Sequence, residues 1–133
     1  MRAVPVLYSS DLERSLAFYT GVLEFELRYP EYRELSLRSG VVDLICDGAI
    51  LQLSRHMGNH PTASSVNLEV EDRQEVDARF ARYTARGLDQ SHRTESPVHQ
   101  APLDQTWGTR EVYVDDPDGN TLCLRAWRWM DQG

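Results

Sequence analysis

The segment Gln105–Leu124, "QTWGTREVYVDDPDGNTLCL", decides the predicted fold, because it has the pattern of two strands joined by a tight acidic turn. Polar and apolar residues mix from Arg110 to Asp115 as in a half-buried strand, "DPDGN" is typical of a turn, and "TLCL" starts a second strand. Trp107 and Gly108 stand immediately before this hairpin. The hairpin therefore forms the wall either of a catalytic metal site or of a pocket that only holds a ligand.

The composition describes an acidic globular chain of ordinary domain size. The chain has 133 residues, of which 41% are hydrophobic, enough for a packed core. No apolar run of about 18 residues predicts a membrane span, and the N-terminal segment lacks a signal-peptide core, which favours a cytoplasmic location. The net charge of −7 disfavours nucleic acid and would attract a cationic small molecule, although many acidic proteins carry such charge only for solubility.

Two helices are predicted to begin at similar motifs. In the first, Ser10 is the predicted N-cap and Glu13 the N3 residue of a capping box, and Asp72 and Glu75 bound the second motif. Each motif precedes an apolar stripe at helical spacing, formed by Leu12, Leu16 and Tyr19 in the first helix and by Val76, Phe80 and Tyr83 in the second. Asp11 and Asp72 therefore open equivalent helices 61 residues apart.

The strand pattern also repeats. A short strand, "AVPVLYSS", precedes the first helix, and the pattern from Phe25 to Ser54 is strand-like throughout, with a turn at 38–40 and a two-residue hairpin at 47–48. In the second half "SVNLEVE" is a strand, and a long irregular stretch leads to the closing hairpin. Cys46 and Cys123 lie in apolar strand patterns and are predicted to be buried thiols, not a disulfide.

This repeat predicts an α+β fold of two βαβββ modules, 1–56 and 63–133, within a single domain, 1–133. Each module has a curved sheet with one side covered by its helix. The uncovered concave sides can enclose a cavity, which is a suitable place for a small ligand.

Two segments carry a family resemblance. "VPVLYSSDLERSLAFYTGVLEFEL" and "WGTREVYVDDPDGNTLCL" resemble the opening and closing signatures of the vicinal oxygen chelate superfamily and cover about a third of the chain. That superfamily contains glyoxalase I, extradiol dioxygenases, fosfomycin resistance proteins and bleomycin resistance proteins. The resemblance implies the glyoxalase/bleomycin resistance fold.

The enzymes of the superfamily hold a divalent metal on four inward strand positions. Carried over to this chain, these positions fall on Val4, Gln52, Val66 and Cys123. The two valines have no donor atom, and one amide with one thiol does not make a metal site. The resemblance therefore predicts no metal, no cofactor and no catalytic residue. His56, His60, His92 and His99 are predicted to be surface residues, since no metal or catalytic motif contains them.

The non-enzymatic branch fits better, because "AVPVL" and the Trp-Gly pair before an arginine-containing strand resemble bleomycin resistance proteins. These bind a cationic antibiotic stoichiometrically, as homodimers with an exchanged N-terminal strand. The resemblance implies a ligand site that includes Trp107 as a stacking platform, beside flexible Gly108, with Tyr29 and Tyr32 as cleft aromatics. Ser54 and Asn67 match ligand-contacting positions, and Gln52 completes the predicted set, although relatives carry tryptophan at the position of Asn67.

Three functions remain open from the sequence. The first is a metal-free protein that sequesters a planar, cationic antibiotic of the bleomycin type and confers resistance, without partners among nucleic acids or membranes. The second is an enzyme of the same fold, a lyase, isomerase or dioxygenase with a noncanonical site. The third is a binding module for another small metabolite. Glu24 adds a structural expectation: it stands where relatives usually have glycine, so a positive φ there would strain the turn by roughly 1 kcal/mol.

Overall fold

The structure is a computed structural model that describes residues 1–56 and 63–132. Its strands and helices are β1 (Val6–Tyr8), α1 (Leu12–Gly21), β2 (Glu26–Leu27), α2 (Arg33–Ser39), β3 (Val41–Cys46), β4 (Ala49–Ser54), β5 (Ser65–Glu69), α3 (Arg73–Ala85), α4 (Pro97–Gln100), β6 (Leu103–Asp104), β7 (Thr109–Asp115) and β8 (Thr121–Trp127). Short 3-10 segments lie at Pro30–Tyr32, Ser91–Arg93 and Arg128–Gln132.

The chain divides into two compact units. Unit 1 comprises residues 1–64 and 116–120, and unit 2 comprises residues 65–115 and 121–133. The sheet of unit 1 has the strand order β1-β4-β3-β2, and the sheet of unit 2 has the order β5-β8-β7-β6. In each sheet the first pair is parallel and the other pairs are antiparallel. The predicted α+β class with two βαβββ repeats is therefore confirmed.

The two long helices begin at equivalent aspartates, as predicted. The Asp11 carboxylate accepts from the Arg14 N–H at 3.1 Å, and Asp72 accepts from the Glu75 N–H at 2.9 Å. The prediction of Ser10 as the first N-cap is wrong, because its hydroxyl donates to Asp118 at 2.6 Å. An ionised carboxylate at position 11 is the stronger acceptor for the unpaired amides of the first turn.

The prediction of continuous strand from Phe25 to Ser54 is also wrong. After the two-residue strand β2, a 3-10 turn at Pro30–Tyr32 leads into α2, and Gly40 ends that helix at φ 85°. A proline at the start and a left-handed glycine at the end are helix boundary signals, and here they override the alternation of Leu35 and Leu37. Leu35 is exposed on the helix instead of buried in a sheet.

The β3–β4 hairpin follows its sequence signal. Asp47 and Gly48 both have positive φ, 48° and 84°, as a two-residue hairpin turn requires. Glu24 also has a positive φ, 66°, so the strained position expected after the first helix is present. Within the described residues, Glu24 and Asp47 are the two non-glycine residues of this kind.

The "DPDGN" turn, residues 116–120, has a structural role in unit 1. The Asp116 carboxylate accepts from the Tyr19 hydroxyl at 2.8 Å and from the N–H groups of Asp118 and Asn120 at 2.9 Å each. The side chain of Asn120 donates to the Tyr8 carbonyl at 2.9 Å and accepts from the Ser64 N–H at 3.0 Å. Burial, followed by the nearby Asp116 charge, raises the pKa of Tyr19, which therefore stays a hydrogen-bond donor. This family signature thus maintains the fold.

The sheet of unit 2 has one apolar and one polar face. Its apolar face carries Val112, Val114, Leu122, Leu124 and Ala126, all buried, and the buried α3 residues Val76 and Tyr83 belong to the same core. In unit 1 the buried strand residues Leu7, Val42, Leu44, Leu51 and Leu53 alternate with a mixed set, in which Val41, Ile45 and Ile50 accompany Asp43 and Gln52. None of the helices within residues 1–56 and 63–132 is long and apolar enough to cross a bilayer.

Candidate functional site

The polar face of the unit 2 sheet is ordered in rows across three strands. Asn67, Cys123 and Tyr113 form one row on β5, β8 and β7, and Glu69, Arg125 and Glu111 form the next. These residues alternate with the apolar positions, so they lie on the face opposite α3. This face therefore holds the chemically active side chains of unit 2.

Glu111 is the centre of this face. The residue is only 2% exposed, and its Oε2 accepts from the Thr109 hydroxyl at 2.6 Å and from the Trp107 Nε1–H at 3.3 Å. Tyr113 and Cys123 lie close enough to Glu111 for its charge to raise the pKa of each, after the larger effect of burial. A buried carboxylate is tolerated when several donors replace its lost hydration. No cation forms an ion pair with Glu111 in the described part of the chain.

Cys123 is confirmed as a buried free thiol. Burial, followed by the adjacent Glu111 charge, raises the pKa of Cys123 to about 12. The protonated thiol predominates near neutral pH, and thiolate is the form that attacks electrophiles and binds metals. Cys123 therefore acts as a donor to Glu111.

The predicted platform, Trp107, lies in the turn before β7 and is 56% exposed. Its ring is not a core cap, and its only recorded side-chain partner within the described residues is Glu111. Gly108 follows at φ 105°, and its carbonyl accepts from the Arg128 N–H at 2.8 Å. Because few residues other than glycine adopt this conformation, Gly108 fixes the turn that presents Trp107.

A second aromatic surface lies beside Gly108. The rings of Trp127 and Trp129 stack with centroids 4.5 Å apart and planes inclined by 13°. The Arg125 guanidinium lies 5.0 Å from the centroid of Trp127. Trp129 is in the 3-10 segment after β8 and is 56% exposed, so its ring is not part of the core.

His99, predicted to be a surface residue, is 1% exposed. Its Nδ1 contacts the Ser96 hydroxyl at 2.7 Å, and its Nε2 contacts Asp115 Oδ1 at 3.0 Å. Thr121, His92 and Arg93 also contact the Asp115 carboxylate. Burial opposes ionisation of Asp115, but the hydrogen bonds from His99 and Thr121 outweigh it and lower the pKa of Asp115. This network holds α4 to the end of β7.

Of the other histidines, His92 and His56 are both exposed, as predicted. The His56 Nε2 also contacts the Ser39 carbonyl oxygen at 2.6 Å. His60 lies outside the described residues.

In unit 1 the predicted ligand residues have mixed environments. Gln52 donates to Asp43 at 3.0 Å, and Asp43 also accepts from Arg28 at 3.2 Å. The Arg28 guanidinium lies 5.0 Å above the ring of Tyr29, which is 46% exposed. Gln52 and Tyr29 thus belong to one chain of contacts.

The two other predicted residues of unit 1 differ in accessibility. Tyr32 is 56% exposed in the 3-10 turn. Ser54 is 5% exposed, and its hydroxyl accepts from the His56 N–H at 3.1 Å, so Ser54 serves the β4 terminus. In unit 2 Asn67 is exposed and lies opposite Cys123 across β5 and β8. Cys123 is close to Glu111, and Glu111 accepts the Trp107 Nε1–H.

Strand register corrects two of the positions carried over for a metal. Val66 pairs with Leu122 on the apolar face, and Asn67 is the residue opposite Cys123. Val4 precedes β1, and the residue opposite Gln52 is Val6. The assignments of Val66 and Val4 to inward strand positions are therefore wrong.

The corrected positions do not fit a divalent cation either. Val6 has no donor atom, Gln52 is bound to Asp43, Asn67 offers a neutral amide, and Cys123 is protonated. Within residues 1–56 and 63–132, no three His, Cys, Asp or Glu side chains are grouped to hold a metal ion.

A surface depression of about 300 Å³ lies in unit 1 at the β3–β4 turn. It is lined by Glu24, Glu26, Ile45, Cys46, Asp47 and Gly48. It contains none of the predicted ligand residues, and we do not assign the site to it.

Glu111 and the His99–Asp115 pair are the features that sequence reasoning missed. The signal for Glu111 was present in "REVYVD", where Glu111, Tyr113 and Asp115 share one side of a strand whose other side is apolar. The contact between His99 and Asp115 joins residues from two segments, and no local pattern predicts it.

Comparison with known proteins agrees with this fold. The model of the glyoxalase/bleomycin resistance protein/dioxygenase superfamily matches residues 3–124. A bleomycin resistance determinant encoded on the transposon Tn5 has a TM-score of 0.71 and 25% identity, covering 95% of this chain and 97% of its own. A bleomycin-binding protein complexed with bleomycin has a TM-score of 0.70 and 25% identity, covering 95% and 98%.

A glyoxalase/bleomycin resistance protein/dioxygenase from Nocardioides has a TM-score of 0.68 and 25% identity, covering 96% of this chain and 84% of its own. No curated protein sequence matches the chain. The family model spans nearly all of the two repeats, and the predicted resemblance is confirmed. The chain belongs to the glyoxalase/bleomycin resistance protein/dioxygenase superfamily.

Proposed function

We propose that this protein binds a planar, cationic small molecule of the bleomycin type without a metal and confers resistance by sequestering it in the cytoplasm. The observation that carries the proposal is the Trp107 indole, which is 56% exposed while its Nε1–H is held by the buried Glu111 carboxylate. An exposed ring of fixed orientation is suited to stacking, which contributes about 0.5–1.5 kcal/mol beyond area burial. The net charge of −7 favours the approach of a cation.

The comparisons support the same ligand class. Two of the similar structures are a bleomycin resistance determinant and a bleomycin-binding protein, each 25% identical to this chain. The corrected strand positions, which do not fit a metal, also favour binding over the metal-dependent reactions of the superfamily. Trp107, Gly108 and Asn67 are the proposed ligand contacts of unit 2, and Tyr29, Tyr32 and Gln52 those of unit 1.

Tryptophan fluorescence tests this proposal. We expect metal-free bleomycin or phleomycin to quench the fluorescence saturably in protein treated with chelator, and we expect Trp107→Ala to remove most of the quenching. Tyr8→Phe, a change at a half-buried residue outside the proposed site, is the control. An absence of quenching up to high micromolar drug would favour a module for another metabolite.

We also propose a homodimer formed by exchange of the N-terminal strand. β1 lies at the edge of its sheet and is only three residues long, and Val6 on it is 38% exposed. An edge strand has unpaired backbone groups that another chain can satisfy. Sedimentation equilibrium should give a dimer mass, and deletion of residues 1–8 should abolish it. A monomeric full chain would contradict the exchange.

A metal-independent lyase or isomerase is the second candidate, because Glu111 and Tyr113 share one face of β7 and place a carboxylate near a hydroxyl donor. The two functions differ in stoichiometry, since a binding protein retains one ligand per site and releases no product. Mass spectrometry of the ligand after prolonged incubation distinguishes them. An altered ligand formed in excess of the protein would support the enzyme.

A further inference from the structure

Two aromatic surfaces in unit 2 lie next to side chains of opposite charge, Glu111 beside Trp107 and Arg125 beside Trp127. This difference specifies the ligand further. Resting on the proposed function, we propose that Glu111 makes Trp107 a platform selective for a cationic ring, while the Trp127–Trp129 pair, backed by Arg125, accepts a neutral ring. The ligand class is then a molecule with a delocalised planar cation next to an uncharged flat group. Glu111 is the positioning residue that sets the charge preference.

Trp107 acquires its preference through its N–H group. The Nε1–H donates to Glu111 Oε2, so a negative charge lies 3.3 Å from the indole nitrogen. The face of an indole already attracts cations through its quadrupole, and an adjacent carboxylate adds a field of the same sign. Glu111 makes no ion pair among the described residues, although Arg125 is its cross-strand neighbour on β8, and the donors to its Oε2 are the neutral Trp107 N–H and Thr109 hydroxyl.

The Trp127–Trp129 pair has the opposite backing. The Arg125 guanidinium lies 5.0 Å from the centroid of Trp127, and the Trp129 ring stacks at 4.5 Å from the same centroid, so a cation adjoins this aromatic pair. The guanidinium repels a second cation that approaches the exposed face of Trp129, whereas a neutral ring feels no such penalty.

The two surfaces are close enough for one ligand. Gly108 is the chain neighbour of Trp107, and a Cβ atom at position 108 would lie 3.8 Å from both Trp127 and Trp129. Glycine at this position therefore leaves the space between the platform and the stacked pair unoccupied by a side chain.

A pair of nearly isosteric probes, N-methylquinolinium and quinoline, tests the charge preference by calorimetric titration near neutral pH. We expect the wild-type protein to bind the cation about fivefold more tightly than the neutral probe, since an exposed cation–π contact contributes this much. Glu111→Gln should lower this ratio measurably, because it removes the carboxylate field and leaves only the cation–π attraction of the indole. Glu69→Gln is the matched control, because Glu69 flanks Arg125 in the same row and is exposed, but it does not contact Trp107.

Trp107→Phe provides a second variant in case Glu111→Gln does not fold. It keeps an aromatic ring and removes the N–H donor, so the ratio should again fall toward one. A ratio that persists in either folded variant, or that falls equally in Glu69→Gln, overturns the role of Glu111 and leaves the proposed function standing. Failure of the wild-type protein to bind either probe or bleomycin overturns the proposed function as well.

Discussion

Asp116 of unit 1 and Glu111 of unit 2 are both buried carboxylates that accept several hydrogen bonds. Their donors differ in kind. Asp116 accepts from two backbone N–H groups of its own turn in addition to the side chains of Tyr19 and Asn120, whereas the donors to the Glu111 Oε2 are side chains, including the indole of the exposed Trp107. Backbone donors fix the path of the chain, whereas a side-chain donor is itself oriented by the bond. The same residue chemistry thus fixes a turn in one unit and orients an exposed indole in the other.

The distribution of special residues follows this division. All three tryptophans are in unit 2, and both non-glycine residues of positive φ in the described chain, Glu24 and Asp47, are in unit 1. We therefore expect substitutions in the unit 1 turns to change the free energy of unfolding and to leave the charge preference for the probes unchanged. Substitutions around Glu111 should change the charge preference for the probes.

The largest effect on stability is expected for Asn120→Ala, which removes hydrogen bonds that hold the turn at 116–120. This side chain bonds Tyr8, Asp116 and Ser64, and its residue is 1% exposed. Its loss leaves buried groups unsatisfied, so the free energy of unfolding should fall by about 3 kcal/mol in urea denaturation. Asn67→Ala, at an exposed asparagine, should change it by less than about 0.5 kcal/mol. Similar losses in both variants would contradict the assigned role of the turn.

Asp115→Asn tests a carboxylate of unit 2 that serves the scaffold. Burial alone would raise the pKa of Asp115, but His99 and Thr121 lower it below the value of the unfolded chain, so the ionised group stabilises the fold above a pH of about 4. That contribution is lost as the pH falls through the folded pKa. The variant should be about 2 kcal/mol less stable near neutral pH, because hydrogen bonds to a charge are lost.

The pH dependence of this difference is the decisive measurement for Asp115. The gap in unfolding free energy between wild type and Asp115→Asn should narrow as the pH falls below about 4. Asp104→Asn, an exposed carboxylate of the same unit, should differ from wild type by less than about 0.5 kcal/mol. A gap of constant size at every pH would show that the charge of Asp115 contributes nothing.

Gly40→Ala tests whether the backbone of unit 1 carries its stability. Gly40 has φ 85°, and an added Cβ would lie 2.7 Å from the His56 Nε2 and 2.8 Å from the Arg55 Nε. The backbone strain and the close approach together should lower the free energy of unfolding by about 1.5 kcal/mol, as measured by thermal unfolding. Gly48 has φ 84°, and an added Cβ there would meet no atom within 4 Å, so Gly48→Ala should lower the free energy of unfolding by only about 1 kcal/mol. Equal losses in the two variants would show that the close approach at position 40 contributes nothing.

The smallest effect is expected from Glu24→Gly. Because Glu24 has φ 66°, glycine relieves strain there, and the free energy of unfolding should rise by about 1 kcal/mol. Asp47→Gly is a matched control at φ 48° and should gain less, since aspartate tolerates the left-handed region better than glutamate. A loss of stability in Glu24→Gly would contradict the strain.

Local signals predicted most of the fold. Asp11 and Asp72 as equivalent helix starts, the 47–48 hairpin and the two repeats all depend on residues close in sequence, and the structure confirms them. The predictions failed where a local pattern is compatible with two structures. The alternation at Leu35 and Leu37 indicated a strand, but Pro30 before this segment and Gly40 after it are helix boundary residues, and the segment is a helix.

The site was less predictable, because it depends on register and on contacts between distant segments. The predicted register was shifted by one residue, so Val66 was assigned to the face that Asn67 occupies. Because successive side chains of a strand point to opposite faces, an error of one residue assigns the wrong face. Trp107 and Gly108 could be identified from their place before a strand. The alternation of the strand indicates the polar side for Glu111, but its burial and its bond to Trp107 arise only when the turn and the strand are built.

The most direct test of metal-free recognition at Trp107 is an NMR titration of the indole N–H resonances. The three tryptophans give three signals, which single Trp→Phe variants assign. With chelator present, N-methylquinolinium should shift the Trp107 signal most and saturably, because its N–H reports directly on the Glu111 bond. A Trp107 signal that stays in place, or that moves only after a divalent cation is added, would contradict the account.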